Sequence, residues 1–277
     1  MRQRQLRQVA PRDDDISRFE HSRPAPGIRA YSRWIFNCYV VEDGGSGRPL
    51  VVDPGIPANG AAALDALRGL VADPGSAVVT ATHAHSDHVA GMPAIYRAVR
   101  APIYLPAKVR DYLASERPRN PGLRAVARIA PMLFDQPFEL RALIEFVSSS
   151  RSAGFGAGPF RFDLPIAGFL DDGARVVDAP DWQILQTPGH TDCSTCLWNA
   201  DTQTLLSGDT ILTHAGRAWF TPETTDDRLM ARSEERLRQL PVRHLLPGHG
   251  RPISGADIMG DAVSHRVHSR PDWWRRR

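Results

Sequence analysis

The sequence predicts an α+β protein in which two β-sheets pack face to face with helices outside them. Three observations carry this reading. Short β-branched and aromatic runs alternate with Ala/Leu-rich stretches of helical spacing. The order strands-then-helix occurs twice, on either side of a proline-broken middle, although no close sequence repeat accompanies it. The 277 residues, 42% hydrophobic and 23% charged, are enough for a substantial core.

Residues 1–27 mix Arg, Asp and Pro and predict an N-terminal extension over the surface of a single domain at 28–277. Residues 35–41 and 50–52 read as strands around a Gly-rich loop, and the second ends at D-P-G. Residues 59–70 read as a helix with Asn59 as a possible cap. A short apolar strand at 77–81 runs into T-H-A-H-S-D-H, then 89–99 returns to helical spacing and 103–105 to a strand. The stretch 108–160 predicts a helical insertion, with helices at 108–147 broken by Pro118, Pro121, Pro131 and Pro137, followed by a Ser/Gly-rich loop at 148–159. Strand patterning resumes at 175–177, 182–186, 195–198 and 204–206. A helix at 226–240, a strand at 244–246 and a last helix at 256–267 complete the chain.

The formal charge of +3 is small, and arginines at both ends (Arg2, Arg4, Arg7, Arg275, Arg276, Arg277) supply much of it; they read as solvated termini rather than a nucleic-acid arm. Three cysteines make no disulfide framework, the start carries no apolar leader, and no stretch is apolar enough to span a bilayer. The expectation is a soluble cytoplasmic protein without membrane or nucleic-acid partners.

Seven residues in four loops carry the chemistry: His83, His85, Asp87 and His88, then His190 in T-P-G-H-T, Asp209 in S-G-D-T and His249 in P-G-H-G. Imidazoles and carboxylates are the donors zinc takes, and a catalytic ion keeps a position open for water. Two residues apart on extended backbone, His83 and His85 point the same way, while Asp87 and His88 turn toward a second ion. Each later residue sits beside a glycine that permits a tight strand-end turn. Any one of them alone reads as an ordinary cap or loop residue; the set reads as a metal site.

The pattern resembles the metallo-β-lactamase-fold hydrolases over about residues 35–265: V-D-P-G, H-x-H-x-D-H, P-G-H-T, S-G-D and P-G-H-G stand in the family order. The resemblance implies a four-layer αββα sandwich of two mixed sheets, with a dinuclear site at one edge. By position, His83, His85 and His190 would hold the first ion, Asp87, His88 and His249 the second, and Asp209 would bridge them. Asp53 would orient a ligand imidazole from behind, or simply cap its turn; Thr191 would hold its loop by a local bond. Two Zn(2+) ions per chain are expected, with iron or manganese compatible with the same donors. A shared water would become a hydroxide nucleophile, with Asp87 as the catalytic residue that accepts or relays its proton.

True β-lactamases of the family typically lack the acid that Asp209 represents, so the likeness is nearer to glyoxalase II-type thioesterases and lactonases. Only 39 residues separate Asp209 from His249, too few for the glutathione-binding helical domain of glyoxalase II. The family's nucleases carry large modules for which this chain is short. The expected substrate is a small, partly apolar ester, lactone or thioester. A mono-iron persulfide dioxygenase-like oxidoreductase is the alternative, and a phosphodiesterase or nuclease a more distant one.

The 101 residues between His88 and His190 are where a lid or pocket wall would lie. Met132, Leu133, Phe134 and Phe138 read as a substrate wall, a homodimer contact, or the insert's own core. Trp219 and Phe220 line the pocket or belong to the core, and His214 is a rim hydrogen-bond donor or a surface residue. Cys193 and Cys196, as C-S-T-C, fit packing positions better than a metal or redox pair. His265 and Arg266 need only ordinary packing or surface roles.

Overall fold

The computed structural model describes residues 19–149, 153–156 and 159–267. One sheet holds seven strands in chain order: β1 (Glu20–Ala25), β2 (Ile28–Arg33), β3 (Phe36–Val41), β4 (Leu50–Val52), β5 (Val78–Thr80), β6 (Ile103–Pro106) and β7 (Gly168–Leu170). It is antiparallel up to β4 and parallel from there on. The second sheet contains β8 (Arg175–Val176), β9 (Ala179–Gln186), β10 (Thr195–Asn199), β11 (Thr204–Gly208), β14 (His244–Pro247) and β15 (Ile253–Ser254), in the spatial order β15-β14-β11-β10-β9-β8. In it only β11 and β14 run parallel. A hairpin of β12 (Ile211–His214) and β13 (Arg217–Phe220) stands beside it.

Alternation along the strands builds the layers. Tyr39, Val41, Leu50 and Val52 of the first sheet meet Trp182, Ile184, Leu197, Leu206 and Leu246 of the second in the central core. Cys38, Val40 and Val51, the intervening residues, face the other way, against α1 (Pro57–Leu70) and α3 (Met92–Val99), the latter following the short α2 (Ser86–Val89). On the far side of the second sheet, Cys196, Trp198 and Leu205 pack with Leu237 of the helix Asp227–Arg238. The result is the four-layer αββα sandwich, with both sheets mixed.

Three expectations need correction. The chain joins the first sheet at Glu20, inside the stretch assigned to the 1–27 extension, because β1 pairs with β2; residues 1–18 lie outside the described residues. Asn59 is no cap. Helix α1 starts on Pro57, which needs no N–H partner at that position, and Asn59 is buried with its amide donating to Tyr31 O (2.9 Å) and Phe36 O (3.2 Å). No helix forms over 256–267. Asp257 Oδ1 accepts from Gly260 N in a local turn, and Val263 exchanges backbone hydrogen bonds with Ala218 and Phe220 of β13. The apolar spacing there is real, since Ile258, Met259 and Ala262 enter the outer core, but an added strand-like pairing satisfies the backbone instead.

The insertion is helical and docked. It comprises α4 (Val109–Leu113), α5 (Leu123–Val126), a 3-10 stretch (Ala127–Phe134) and α6 (Leu140–Ser149), so the loop expected at 148–159 begins later; 150–152 and 157–158 lie outside the described residues. Arg33, 2% exposed, grips Glu139 with Nε (3.0 Å) and Nη2 (2.8 Å) and Glu145 with Nη1 (2.8 Å). Glu145 also accepts from Ala58 N at the start of α1. Trp34 donates to Leu133 O and packs edge-on against Phe138. One buried guanidinium thus ties the insertion to the sheet and to a core helix. Arg33→Ala would strand two carboxylates, and urea unfolding should show a loss of about 3–5 kcal/mol; an unchanged midpoint would mean that the clamp carries no stability.

Candidate metal centre

The parallel strands bring their carboxyl ends to one edge, and the turns that follow them carry the polar residues. Asp53 follows β4, His83 to His88 follow β5, Asp209 follows β11 and His249 follows β14. His190 enters from the turn after β9. All seven predicted residues converge into two groups, His83, His85, His190 with Asp209, and Asp87, His88 with His249.

In the first group His85 Nδ1 lies 2.9 Å from His83 Nε2 and 3.3 Å from His190 Nε2. Asp209 reaches both groups. Its Oδ2 is 3.6 Å from His190 Nε2 and 3.2 Å from His249 Nε2, and its Oδ1 is 3.5 Å from His88 Nε2. Asp87 Oδ2 is 3.2 Å from His249 Nε2. Glycine makes room for this density. A Cβ on Gly248 would stand 2.3 Å from Asp209 Oδ1 and 2.6 Å from His88 Cε1.

The outer nitrogens are held from behind, which fixes each imidazole's orientation and leaves the other nitrogen to face inward. His190 Nδ1 bonds Glu223 O (2.8 Å) and His249 Nδ1 bonds Ile35 O (2.9 Å). Asp53 Oδ2 stands 3.1 Å from His88 Nδ1 while its carboxylate accepts from Thr82 N and Oγ1; its left-handed backbone, at φ 50, aims it there. His85 Nε2 meets Asn120 Oδ1 of the insertion at 3.3 Å. Thr191 Oγ1 bonds Ser194 Oγ (2.8 Å) and keeps the His190 turn closed. Cys193 Sγ accepts from Ala84 N, between His83 and His85, and burial raises both Cys193 and Cys196, the latter to about 11. The C-S-T-C pair supports the turn rather than reacting.

Charge is crowded here. Burial, then neighbouring imidazoles, pushes His83 well below the ordinary histidine range and His85 down to about 3, so both are neutral donors. Burial opposes charge on His88, yet Asp53, Asp209 and Asp87 raise it to about 10; against the same opposition Asp209 holds His249 well above the ordinary value. Burial works to raise Asp87, but His88 and His249 hold it at about 2, and Asp209 lies well below its usual value for the same reason. His88 Nε2 and Asp209 Oδ1 are buried without a well-aligned hydrogen bond. Such a set fits cations: two carboxylates balanced only by protons, with imidazole nitrogens directed at one another.

The low-accessibility aromatics do not join the site. Trp219, fully buried, donates from Nε1 to Val267 O, and Phe220 lies in the outer core under Arg238. Met132 is buried with Ile129 against Leu212, and Leu133 packs with Ile35 and Phe36. Phe134 is 85% exposed. His214 stands 3.6 Å from Asp135 at the hairpin end. Sequence reading missed Asn120 and Glu223; an isolated Asn in a Pro/Gly stretch and a Glu acting through its backbone oxygen leave no motif.

The profile of the metallo-beta-lactamase superfamily matches residues 33–249. The chain belongs to this superfamily. The superfamily's fold here carries a set of candidate metal ligands at the edge where the parallel strands end. It is 24% identical over 201 residues to the probable metallo-hydrolase YflN of Bacillus subtilis, covering 65% of this chain and 66% of that protein, just under two thirds of its length. It is 27% identical over 192 residues to an uncharacterized protein of Aquifex aeolicus, covering 67% of this chain and 70% of the relative. Among solved structures, TTHA1623 in a di-iron-bound form is similar at TM-score 0.51 and 24% identity, covering 83% of this chain and 93% of its own. The MIM-1 metallo-β-lactamase of Novosphingobium pentaromativorans is similar at TM-score 0.54 and 18% identity, covering 86% and 84%. Among the described residues no helix is long and apolar enough to cross a membrane.

Two outcomes test this centre. Asp53→Asn, which tolerates the left-handed backbone but loses the charge behind His88, should weaken metal affinity about 10–100-fold in a chelator competition while the circular dichroism stays unchanged; unchanged affinity would remove its orienting role. Because His88 and His249 hold protons at neutral pH, metal loading of chelated protein should release on the order of two protons per chain at pH 7, fewer as the pH rises toward 10. Calorimetry in buffers of different ionisation enthalpy reads this directly, and heat independent of buffer would contradict it.

Proposed function

We propose that the chain uses two zinc ions to hydrolyse the carbonyl of an ester, lactone or thioester whose acyl part is small and partly apolar. The observation that carries this reading is the position of Asp209, whose carboxylate faces both ligand groups, Oδ2 toward His190 of one and His249 of the other, and Oδ1 toward His88. His83, His85 and His190 would hold one ion, Asp87, His88 and His249 the other, and Asp209 both. Imidazole with carboxylate also suits iron or manganese, and the likeness to a protein solved with two irons supports room for a metal pair. When bound, the ions supply a water nucleophile at neutral pH and polarise the carbonyl.

The protein's own groups complete the task. Asp87, with a side chain 13% exposed against 5% for Asp209, is the acid of the set nearer to solvent, which supports a role for it in taking or passing on the proton of the attacking water. Asp53, Glu223 O and Ile35 O keep the imidazoles from turning. Asn120 brings the insertion to His85, and Leu133 of the same insertion packs beside Ile35, whose carbonyl holds His249, which supports an apolar wall near the metals.

A panel of a lactone, a thioester, a phosphodiester and a β-lactam decides the class. The lactone or thioester should be turned over fastest, and His85→Ala should abolish turnover with the fold retained. Asp87→Asn with both metals bound should lose about 10²–10⁴-fold in rate. Full activity in metal-loaded Asp87→Asn would remove its proton role, and activity surviving in His85→Ala would overturn the mechanism.

A further inference from the structure

A second feature lies one loop away from the metal centre. A cavity of about 490 Å³ is lined by Arg128, Arg228, Arg232, Arg266, His265 and Asp227. Four guanidiniums share it with one carboxylate, and Asp227 already accepts from Thr224 Oγ1. Among the described residues no ion pair within 4.0 Å engages any of the four guanidiniums, although the Asp226 carboxyl, held below its ordinary value first by the backbone N–H groups of Leu229 and Arg228, is close enough to the Arg228 guanidinium to be lowered by it as well. Arg128 donates from Nη1 to Pro222 O (3.1 Å), and among the described residues Arg228 and Arg266 bond through backbone N–H groups while no side-chain hydrogen bond engages Arg228, Arg232 or Arg266. His265 is turned by Glu234, which takes its Nδ1. Arg228 and Arg232 are four residues apart on the helix Asp227–Arg238 and so share a face. The first free N–H groups of that helix are taken by Asp226, so the arginines, not the helix end, make the cavity positive.

The cavity is fastened to the metal centre. Arg128 bonds Pro222 O, and the next residue, Glu223, accepts from His190 Nδ1. Thr225 N and Asp226 N both bond Gly189 O, beside His190. Loop 221–226 therefore bonds both a cavity arginine, Arg128, and the candidate metal ligand His190. Like charges gathered without partners repel, and an anion relieves that cost; planar guanidinium forks suit phosphate oxygens in pairs. The volume falls within the range of small-ligand sites.

We propose that this cavity binds the phosphate-bearing handle of the substrate, a small organic bisphosphate or diphosphate, and that the acyl group hydrolysed at the metal centre is carried on that handle. The assignment of the handle to a substrate rests on the hydrolase reading above; the anion site itself does not. Nucleic acid would present the same phosphates, but four arginines confined to one cavity suit a compact anion better than a groove along a strand.

The test uses zinc-loaded protein and adenosine 3′,5′-bisphosphate as probe, titrated into wild type, Arg228→Ala/Arg232→Ala and His85→Ala. Alanine on an exposed helix face preserves the helix. Binding should weaken at least about tenfold in the double arginine variant and stay unchanged in His85→Ala. In the kinetic arm, the double variant should raise KM for a coenzyme A thioester at least about tenfold with kcat within about twofold, and leave a carrier-free thioester unaffected. Equal binding by wild type and the arginine variant, no binding by wild type, or loss only in His85→Ala would overturn the site. An oligonucleotide that binds more tightly than the bisphosphate and is lost in the arginine variant would overturn the small-molecule assignment. Arginine-dependent binding with unchanged KM would overturn the handle. Arginine-dependent binding without hydrolysis of any carbonyl compound would sink the hydrolase reading and leave the anion site standing.

Discussion

The buried carboxylate of Asp209 is the constraint around which the rest of this structure is arranged. It is 5% exposed, flanked on both sides by imidazoles, and one of its oxygens lacks a well-aligned hydrogen bond. Burying a carboxylate is costly unless positive charge meets it. Protons on His88 and His249 meet that need without metal, and cations meet it better, since they also turn the converging nitrogens of His83, His85 and His190 into bonds. The fold's polar edge is therefore a place of stored electrostatic cost that metal binding relieves.

The backbone is built to allow such crowding. Two parallel strand pairs, β4 with β5 and β11 with β14, end at the same edge and deliver Asp53, His83, Asp209 and His249 there. Gly248 lets Asp209 and His88 approach, and a Cβ on Gly208 would stand 2.2 Å from Thr82 Oγ1, the hydroxyl that bonds Asp53. The insertion is part of the same construction. Arg33 anchors its far end, while Asn120 and the pairing of Phe155 with Ala84 and Ser86 bring its near parts to the H-x-H turn. A segment held at both places stands fixed beside the H-x-H turn.

Much of this was legible from the chain. The strands around 35–41, 50–52, 77–81 and 204–206 are readable because strand periodicity is a local signal, whereas the convergence of seven polar residues far apart in the chain is implied by the family resemblance. What escaped depends on tertiary partners. The 256–267 stretch has helical apolar spacing, but its backbone finds a better partner in β13. Asn59 looks like a cap, yet it serves a strand turn reached only in the folded chain. Trp219 and Phe220 follow Asp209 closely in sequence, but the β12–β13 hairpin carries them into the core. Glu223 acts on His190 through a carbonyl that every residue possesses, so no residue-type pattern can mark it.

The proposed mechanism requires both ligand groups to hold metal at once, joined by Asp209. Elemental analysis of gently purified protein, paired with anomalous scattering at the metal edge, tests it most directly. About two ions per chain are expected, one among His83, His85 and His190 and one among Asp87, His88 and His249. A single ion, with the Asp87 group empty under saturating metal, would contradict it.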